Sequence, residues 1–250
     1  MKTLITLLLT LLAGSAMAGQ LTVAAASDLA YGMDDLAKGF RRLEPKAMVK
    51  ISTGASGSLF AQVKNGAPFD VFMSADMEYP ARLAREGAAD GKSLMQYASG
   101  QLVYWTSAPG VLPARGLATL LDPRVRRIAI ANPDVAPYGK AAREVLIAAG
   151  LWEELQPRLV LGENVAQAAQ FAHSGNAQAA LLSLSAVRSP HLRRVGRFSV
   201  LEGVAVRQGA IITSRGKNNP LAARWMAYLG TDTARAILAR HGFAPPAPAR

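Results

Sequence analysis

The chain of 250 residues contains no cysteine. Disulfide bonds and zinc sites built from thiolates are therefore excluded, and the stability of the fold must come from packed side chains. Beyond the N-terminus there is no apolar run of about 20 residues, the length that a membrane-spanning helix needs. Half of the residues are nevertheless apolar. This combination predicts a chain that folds around its own core and is not embedded in a membrane.

Acidic residues are scarce compared with basic ones, 17 against 28, which gives a formal net charge of +11. Such an excess attracts anions, nucleic acids or acidic membrane surfaces. The basic residues are scattered in short pairs such as Arg41-Arg42, Arg126-Arg127 and Arg193-Arg194. Aromatic residues do not alternate with them, as a surface that stacks bases requires. We therefore interpret the charge as a solvated basic surface with weak attraction for anions, and we rank nucleic-acid or membrane-surface binding last.

The first 18 residues, MKTLITLLLTLLAGSAMA, predict a secretory signal peptide. Lys2 supplies the positive start, Leu4 to Leu12 supply a short apolar core, and Ala16-Met17-Ala18 fits the cleavage pattern. Gly19 is then the first mature residue, and the expected location is the periplasm. The mature chain of about 230 residues suits two domains of roughly 100 residues each.

Short apolar runs alternate with helical patterns along the mature chain. The strand predicted at Gln20 to Ala25 is followed by a helical pattern that opens at Ser27-Asp28, and the buried run Asp70 to Ser74 leads into another helix. This alternation predicts an α/β protein with mostly parallel sheets flanked by helices. There is no Gly/Ser-rich linker, so we expect the two blocks to be joined by sheet strands. The tail from Ala244 to Arg250 is expected to be loose.

Small or polar residues stand at four points where a predicted strand gives way to a helix. In open α/β sheets, ligands bind beyond the carboxyl ends of the strands, and the free N–H groups of a helix start suit an anion. A serine hydroxyl adds a further donor. Each serine alone is better explained as an ordinary helix cap, but the set predicts an anion site made of neutral donors. The four points are Ala26-Ser27, Ala55 to Ser58, Ser74-Ala75 and Asn164-Val165.

Asp28 lies next to the first of these points. A carboxylate beside a dianion would repel it. We therefore expect the Asp28 side chain to point away from the site and to cap the first helix or pair with a cation. Lys140 is expected to be solvated on its own helix.

Several segments resemble the periplasmic molybdate-binding protein family, and the resemblance covers nearly the whole mature chain. It implies a two-lobed periplasmic binding protein fold, each lobe a mostly parallel sheet flanked by helices, with the ligand in the cleft between the lobes. We place lobe I at 19–99 and 207–250 and lobe II at 100–206. The segments are AAASDL at 24–29, GASGSLFAQV at 54–63, GAPFDVFMSAD at 66–76, NPDVAPYGKAAREVL at 132–146, GENVAQA at 162–168 and RHGF at 240–243.

The resemblance also implies a set of oxyanion ligands. Ser27 and Ser56 would each donate a hydroxyl and a backbone N–H, and Ala75 and Val165 would each donate a backbone N–H. Two further donors would come from the loop at Tyr138 and the strand end at Ser183. One branch of the family has a small residue and a tyrosine at these two positions, the reverse of this chain. A phenol donor at Tyr138 would replace the missing one, which leaves the role of Ser183 open.

The function implied is capture of molybdate, and of tungstate, by a monomeric binding protein that delivers the oxyanion to the permease of an ABC importer. No cofactor and no direct protein ligand to molybdenum or tungsten are expected. Another tetrahedral oxyanion such as phosphate or sulfate is the main alternative. A secreted serine hydrolase is a weaker one, because Gly54 to Ser58 resembles G-x-S-x-G but ends in Ser58, and no histidine lies in a recognisable triad context.

Overall fold

The computed structural model describes residues 19–246, which form one eight-stranded sheet flanked by helices. The predicted signal peptide, residues 1–18, lies outside the described residues. The strands are β1 (Gln20–Ala26), β2 (Met48–Gly54), β3 (Val71–Ser74), β4 (Met95–Thr106), β5 (Ile128–Ala131), β6 (Leu159–Gly162), β7 (Ala179–Ser183) and β8 (Arg197–Ile212). The helices are α1 (Met33–Leu43), α2 (Ser56–Lys64), α3 (Glu78–Arg85), α4 (Pro137–Ala148), α5 (Trp152–Leu155), α6 (Val165–His173), α7 (Leu184–Arg188), α8 (Pro190–Val195), α9 (Pro220–Leu229) and α10 (Asp232–Arg240).

The order of the strands across the sheet is β2-β1-β3-β8-β4-β7-β5-β6. Strands β1, β2 and β3 run parallel at one end, and β5, β6 and β7 run parallel at the other. Two long strands, β4 and β8, lie between these blocks and run antiparallel to their neighbours. The predicted α/β class with two mostly parallel blocks is confirmed, and the blocks are connected by continuous strands, as the lack of a Gly/Ser-rich linker predicts.

Each block has its own apolar core. One core contains most of the buried residues between Leu102 and Val206, with Trp105 and Tyr104 among the largest. Another lies on the first block, where Phe40 packs edge-on against Trp225 with 5.1 Å between ring centroids. Buried aromatic pairs of this geometry contribute about 0.5–1.5 kcal/mol beyond their area. The division of the core explains why the chain forms two units on one sheet.

Two local predictions are corrected by the structure. The helical pattern at Ser27 forms only a 3-10 turn, Ser27–Leu29, and α1 starts later at Met33 after Gly32. A Cβ atom at Gly32 would lie 3.1 Å from the His241 ring, so a larger residue at this turn would press on that ring. The predicted loose tail does not begin at Ala244, because the Ala244 N–H donates to the Ser99 carbonyl at 2.8 Å and the Ser99 N–H donates to the Ala244 carbonyl at 2.9 Å. Sequence pattern misses this bridge because its partners are distant in the chain.

Between residues 19 and 246, no helix combines the length and the apolar character that a membrane crossing requires.

Candidate functional site

A small cavity lies where the two blocks meet, at the carboxyl ends of β1 and β2. Its lining includes Ser27, Ser56, Ala75, Tyr138 and Val165, five of the six residues predicted as ligands. The cavity volume is about 10 Å³. This is close to the smallest volume that accepts one water-sized group, so the cavity is narrow and its lining residues lie close together.

Helix starts supply the electrostatic character of the cavity. Ser56 and Val165 are the first residues of α2 and α6, and Tyr138 is the second residue of α4. The first N–H groups of a helix have no partner within it and carry partial positive charge. Asn164 fixes the start of α6, because its side chain accepts the N–H groups of Ala166 at 3.0 Å and Gln167 at 3.1 Å. The arrangement therefore favours an anion.

No lysine, arginine or histidine is among the described residues that line the cavity. Lys140 is exposed on α4, as expected. The excess basic charge of the chain thus lies outside the cavity, and an anion inside would be held by neutral donors only.

Ser56 and Ala75 are connected to each other inside the cavity. The Ala75 N–H donates to the Ser56 Oγ at 3.0 Å, and both residues are buried. A serine hydroxyl that accepts one bond keeps its own proton to donate. The Ser56 hydroxyl is therefore oriented by Ala75 with its O–H available to another acceptor.

Asp28 also lines the cavity, and the expectation that it would cap a helix or pair with a cation is wrong. Its side chain is 1% exposed, and its Oδ2 accepts from the neutral Nε2 amide of Gln208 at 2.9 Å. Within residues 19–246, Oδ1 has no partner of hydrogen-bond geometry. Burial raises the pKa of Asp28 to about 7, although the Tyr138 hydroxyl and the Gln208 amide both act to lower it.

Gln208 is a residue of the site that sequence reasoning missed. It is fully buried on β8, and its Oε1 accepts the hydroxyl of Tyr97 at 3.1 Å. This bond leaves the Nε2 amide as the group that faces Asp28. The signal in the sequence is a glutamine two residues before the apolar run Ala210 to Ile212, but nothing local identifies its partner.

Tyr138 is 2% exposed and lies close to Asp28. A Cβ atom at Gly100 would overlap the Tyr138 hydroxyl, so this glycine makes room for the phenol. Burial, and secondly the negative charge of Asp28, hold the pKa of Tyr138 well above its usual range. The phenol is therefore neutral and keeps a proton to donate.

Ser183, the sixth predicted ligand, is not among the residues that line the cavity. It ends β7, and its Oγ accepts the Ala186 N–H at 3.3 Å as the cap of α7. It also shares a 2.9 Å hydrogen bond with the Ser185 hydroxyl, which donates to the Asp28 carbonyl at 2.7 Å. The structure thus places Ser183 behind the cavity, and its role as a ligand stays a prediction.

A backbone hydrogen bond joins the two blocks beside the cavity. The N–H of Gly57, the second residue of α2, donates to the Val135 carbonyl at 2.9 Å. A Cβ atom at Gly57 would lie 2.8 Å from that oxygen, closer than side chains approach. Glycine at this position therefore permits the blocks to meet at this distance.

Comparisons with known proteins agree with this geometry. A family model described as bacterial extracellular solute-binding protein matches residues 21–244. The chain is 36% identical over 236 residues to the molybdate-binding protein ModA of Azotobacter vinelandii, covering 93% of each. It is 34% identical over 199 residues to ModA of Rhodobacter capsulatus, covering 78% of this chain and 77% of that one. The solved periplasmic molybdate-binding protein of A. vinelandii superposes with a TM-score of 0.85 at 33% identity, covering 91% of this chain and 100% of that one.

Proposed function

This chain belongs to the bacterial extracellular solute-binding proteins, in the branch of the molybdate-binding protein ModA, and on that premise we propose that it captures molybdate and delivers it to an ABC importer. Proteins of this family carry a solute and catalyse no reaction, so the chain is not an enzyme and molybdate is its cargo. The permease of the importer is its partner, and the oxyanion is its ligand.

The observation that carries this proposal is the donor set of the small cavity. Serine hydroxyls, a neutral phenol and helix starts surround a small space, and no lysine, arginine or histidine is among the described residues that line it. A fully ionised oxyanion needs hydrogen-bond donors, and these groups supply them without a proton on the ligand.

The proposed ligands are the five lining residues predicted from the sequence. Ser27 and Ser56 donate hydroxyl and N–H groups, Val165 donates its N–H, and Tyr138 donates its phenol. The Ala75 N–H contributes either directly or through the Ser56 hydroxyl that it now contacts. Molybdenum itself is bound only through its oxygens, with no cofactor involved.

The proposed lobes are 19–99 with 207–250, and 100–206. The two boundaries face each other across the β4–β8 ladder, where Ser99 pairs with Arg207 and Gly100 pairs with Val206. A register shift follows between Gln101 and Val103. A bend of these two strands at this point would open the cavity, because its lining residues come from both lobes.

Selectivity would follow from the length of the metal–oxygen bonds. Molybdate and tungstate are of similar size and larger than sulfate, so donors spaced for them leave sulfate with unmade bonds. Each unmade bond in a desolvated site costs ~1–3 kcal/mol. We therefore expect tungstate and molybdate both to bind tightly. Sulfate should bind weakly.

Titration calorimetry of the mature chain with molybdate, tungstate, sulfate and phosphate tests the proposal. We expect tight one-to-one binding of the first two and little heat from the others. Phosphate is the informative competitor, since the Asp28 carboxylate could accept the proton of hydrogen phosphate. Tight phosphate binding without a response to molybdate would overturn the assignment.

We also propose that the chain is exported and works in the periplasm as a monomer after cleavage before Gly19. Mass spectrometry of the protein from a periplasmic extract should show a mature chain that begins at Gly19. Size-exclusion chromatography with light scattering should give the mass of one chain, with and without molybdate.

A further inference from the structure

Asp28 is the one acidic side chain among the described residues that line the cavity. It is held by neutral groups alone, since Gln208 donates to its Oδ2 and Tyr138 lies beside it. A buried carboxylate without a cation, next to a dianion, would carry the cost of desolvation and repulsion together. The proposed function therefore requires an explanation for an acid at this position.

The groups around Asp28 offer no compensating charge. Two titratable groups face it, Tyr138 from α4 and Tyr97 from β4, and burial raises the pKa of both well above the usual range. Both are therefore neutral. The other described elements that pack around Asp28 bring no ionisable side chain to it. Lys50 of β2 and His173 of α6 are exposed. Arg188 of α7 donates to the Ala239 carbonyl, and Arg207 of β8 donates to Gln96.

Gln208 fixes which oxygen of Asp28 is free. Its amide cannot turn without losing the bond from the Tyr97 hydroxyl to Oε1, so Nε2 remains the donor to Oδ2. The other oxygen, Oδ1, is buried and has no partner of hydrogen-bond geometry in the described chain. A proton on Oδ1 would convert this unsatisfied acceptor into a donor.

Resting on the proposed function, we propose that Asp28 binds the oxyanion in its protonated form, so that each molybdate captured takes up one proton from solvent at this residue. The proton removes the repulsion and adds one O–H to the donors around the anion. Asp28 thereby becomes a specificity-determining residue that favours fully ionised oxyanions, which need a donor. The pKa of Asp28, raised by burial to about 7, means that little work is needed to protonate it near neutral pH.

The sign of the pH dependence follows from this stoichiometry. Below a pH of about 7, Asp28 already holds its proton and molybdate affinity should be constant. Above it, each capture must draw a proton from solvent, so affinity should fall about tenfold for each pH unit. The same uptake makes the binding heat depend on the ionisation heat of the buffer.

The experiment is calorimetric titration with molybdate of three mature proteins, at several pH values between about 6 and 9 and in two buffers of different ionisation heat. Wild type should lose affinity as the pH rises and take up close to one proton per molybdate at about pH 8. The variant Asp28→Asn keeps an acceptor for Gln208 and offers an N–H donor that does not titrate. Its affinity should not vary with pH, and it should bind more tightly than wild type at about pH 9.

Asp34→Asn is the matched control, because it removes the same charge from an exposed position at the start of α1. It should follow the wild-type profile. An infrared band of a protonated carboxyl group should appear in wild type with molybdate and be missing from Asp28→Asn. A pH-independent wild type, or an Asp28→Asn variant with the wild-type slope, would overturn the inference. Wild type that binds no molybdate at any pH would instead overturn the proposed function.

Discussion

At the scale of single residues, Ser56 connects two of the elements that form the proposed site. It is buried, it opens α2, and its Oγ accepts the Ala75 N–H from the end of β3. A change at this residue removes a hydroxyl donor and also leaves the Ala75 N–H without its acceptor. The hydroxyl therefore contributes to binding in two ways.

We predict that Ser56→Ala weakens molybdate binding by ~1–3 kcal/mol, because donors to an anion in a desolvated site are left unmade. Calorimetry at constant pH measures the loss. Ser58→Ala is the control, since Ser58 is exposed on the same helix and should bind as wild type does. Wild-type affinity in Ser56→Ala would place the ligand elsewhere.

The burial of Asp28 also predicts a lower free energy of unfolding for the ligand-free protein at neutral pH. Its pKa is raised from the ordinary 3.8 to about 7, so the native state binds more protons than the unfolded state between these values. Stability from this residue therefore falls as the pH rises through that range and is constant above it.

Urea unfolding of ligand-free wild type and Asp28→Asn measures this cost. The variant should gain stability relative to wild type between about pH 5 and pH 8, on the order of a few kcal/mol. Asp34→Asn should show no such gain. A constant difference between wild type and Asp28→Asn would show that the Asp28 carboxyl keeps an ordinary pKa.

At the scale of elements, helix starts do most to define the cavity, and α6 illustrates how one is held. Asn164 caps it with two hydrogen bonds and so fixes the position of Val165, whose N–H is a proposed ligand. Loss of the cap should affect folding and binding together, because both depend on the same first turn.

Asn164→Ala should reduce the free energy of unfolding by ~0.5–2 kcal/mol, the usual effect of losing an N-cap. Molybdate affinity should fall as well. Urea unfolding and calorimetry check the two effects, with Asn176→Ala in an exposed turn as the control. Unchanged stability would mean that the remaining contacts hold α6 without its cap.

The same scale shows what sequence can and cannot predict. Ser27, Ser56 and Val165 could be brought together from the sequence, as residues of one cavity, because a strand end followed by a helix start is a local pattern. Gln208 could not, since its bond to Asp28 joins positions 180 residues apart. The bridge at Ala244 was missed for the same reason, since its partner Ser99 is distant in the chain. The break between Ser27 and Met33 was missed because the helical spacing of the apolar residues continues through it. The sequence pattern therefore predicted residues that line the cavity, but not the partners of the buried Asp28 carboxyl group among them.

At the scale of the whole molecule, the two lobes are in contact beside the cavity, and the Gly57 N–H to Val135 carbonyl bond is one of these contacts. This bond joins the start of α2 to the segment before α4 through backbone atoms only. Closure on the anion would therefore be sensitive to a single methyl group.

We predict that Gly57→Ala lowers molybdate affinity by roughly tenfold or more, because the added Cβ would lie 2.8 Å from the Val135 oxygen of the other lobe. Stability should change little, because the Tyr79 hydroxyl, also 2.8 Å from that Cβ, is the end of a side chain that can move aside. Small-angle scattering should show less contraction with molybdate than in wild type. Gly91→Ala is the control, since its Cβ would make only an ordinary contact of 3.5 Å with Ala84. Normal affinity in Gly57→Ala would mean that the lobes close without this bond.

The bridge between Ala244 and Ser99 bears on how the protein can be used as a sensor. It fastens Ala244 to β4 beside the proposed bend. The described chain begins at the start of β1, at the end of that strand opposite the cavity. A fluorescent reporter or purification tag fused after Arg250 would be attached close to Ser99 of β4, where the proposed bend lies. One fused ahead of Gly19 would leave the opening and closing motion undisturbed, and is the better design for a molybdate biosensor.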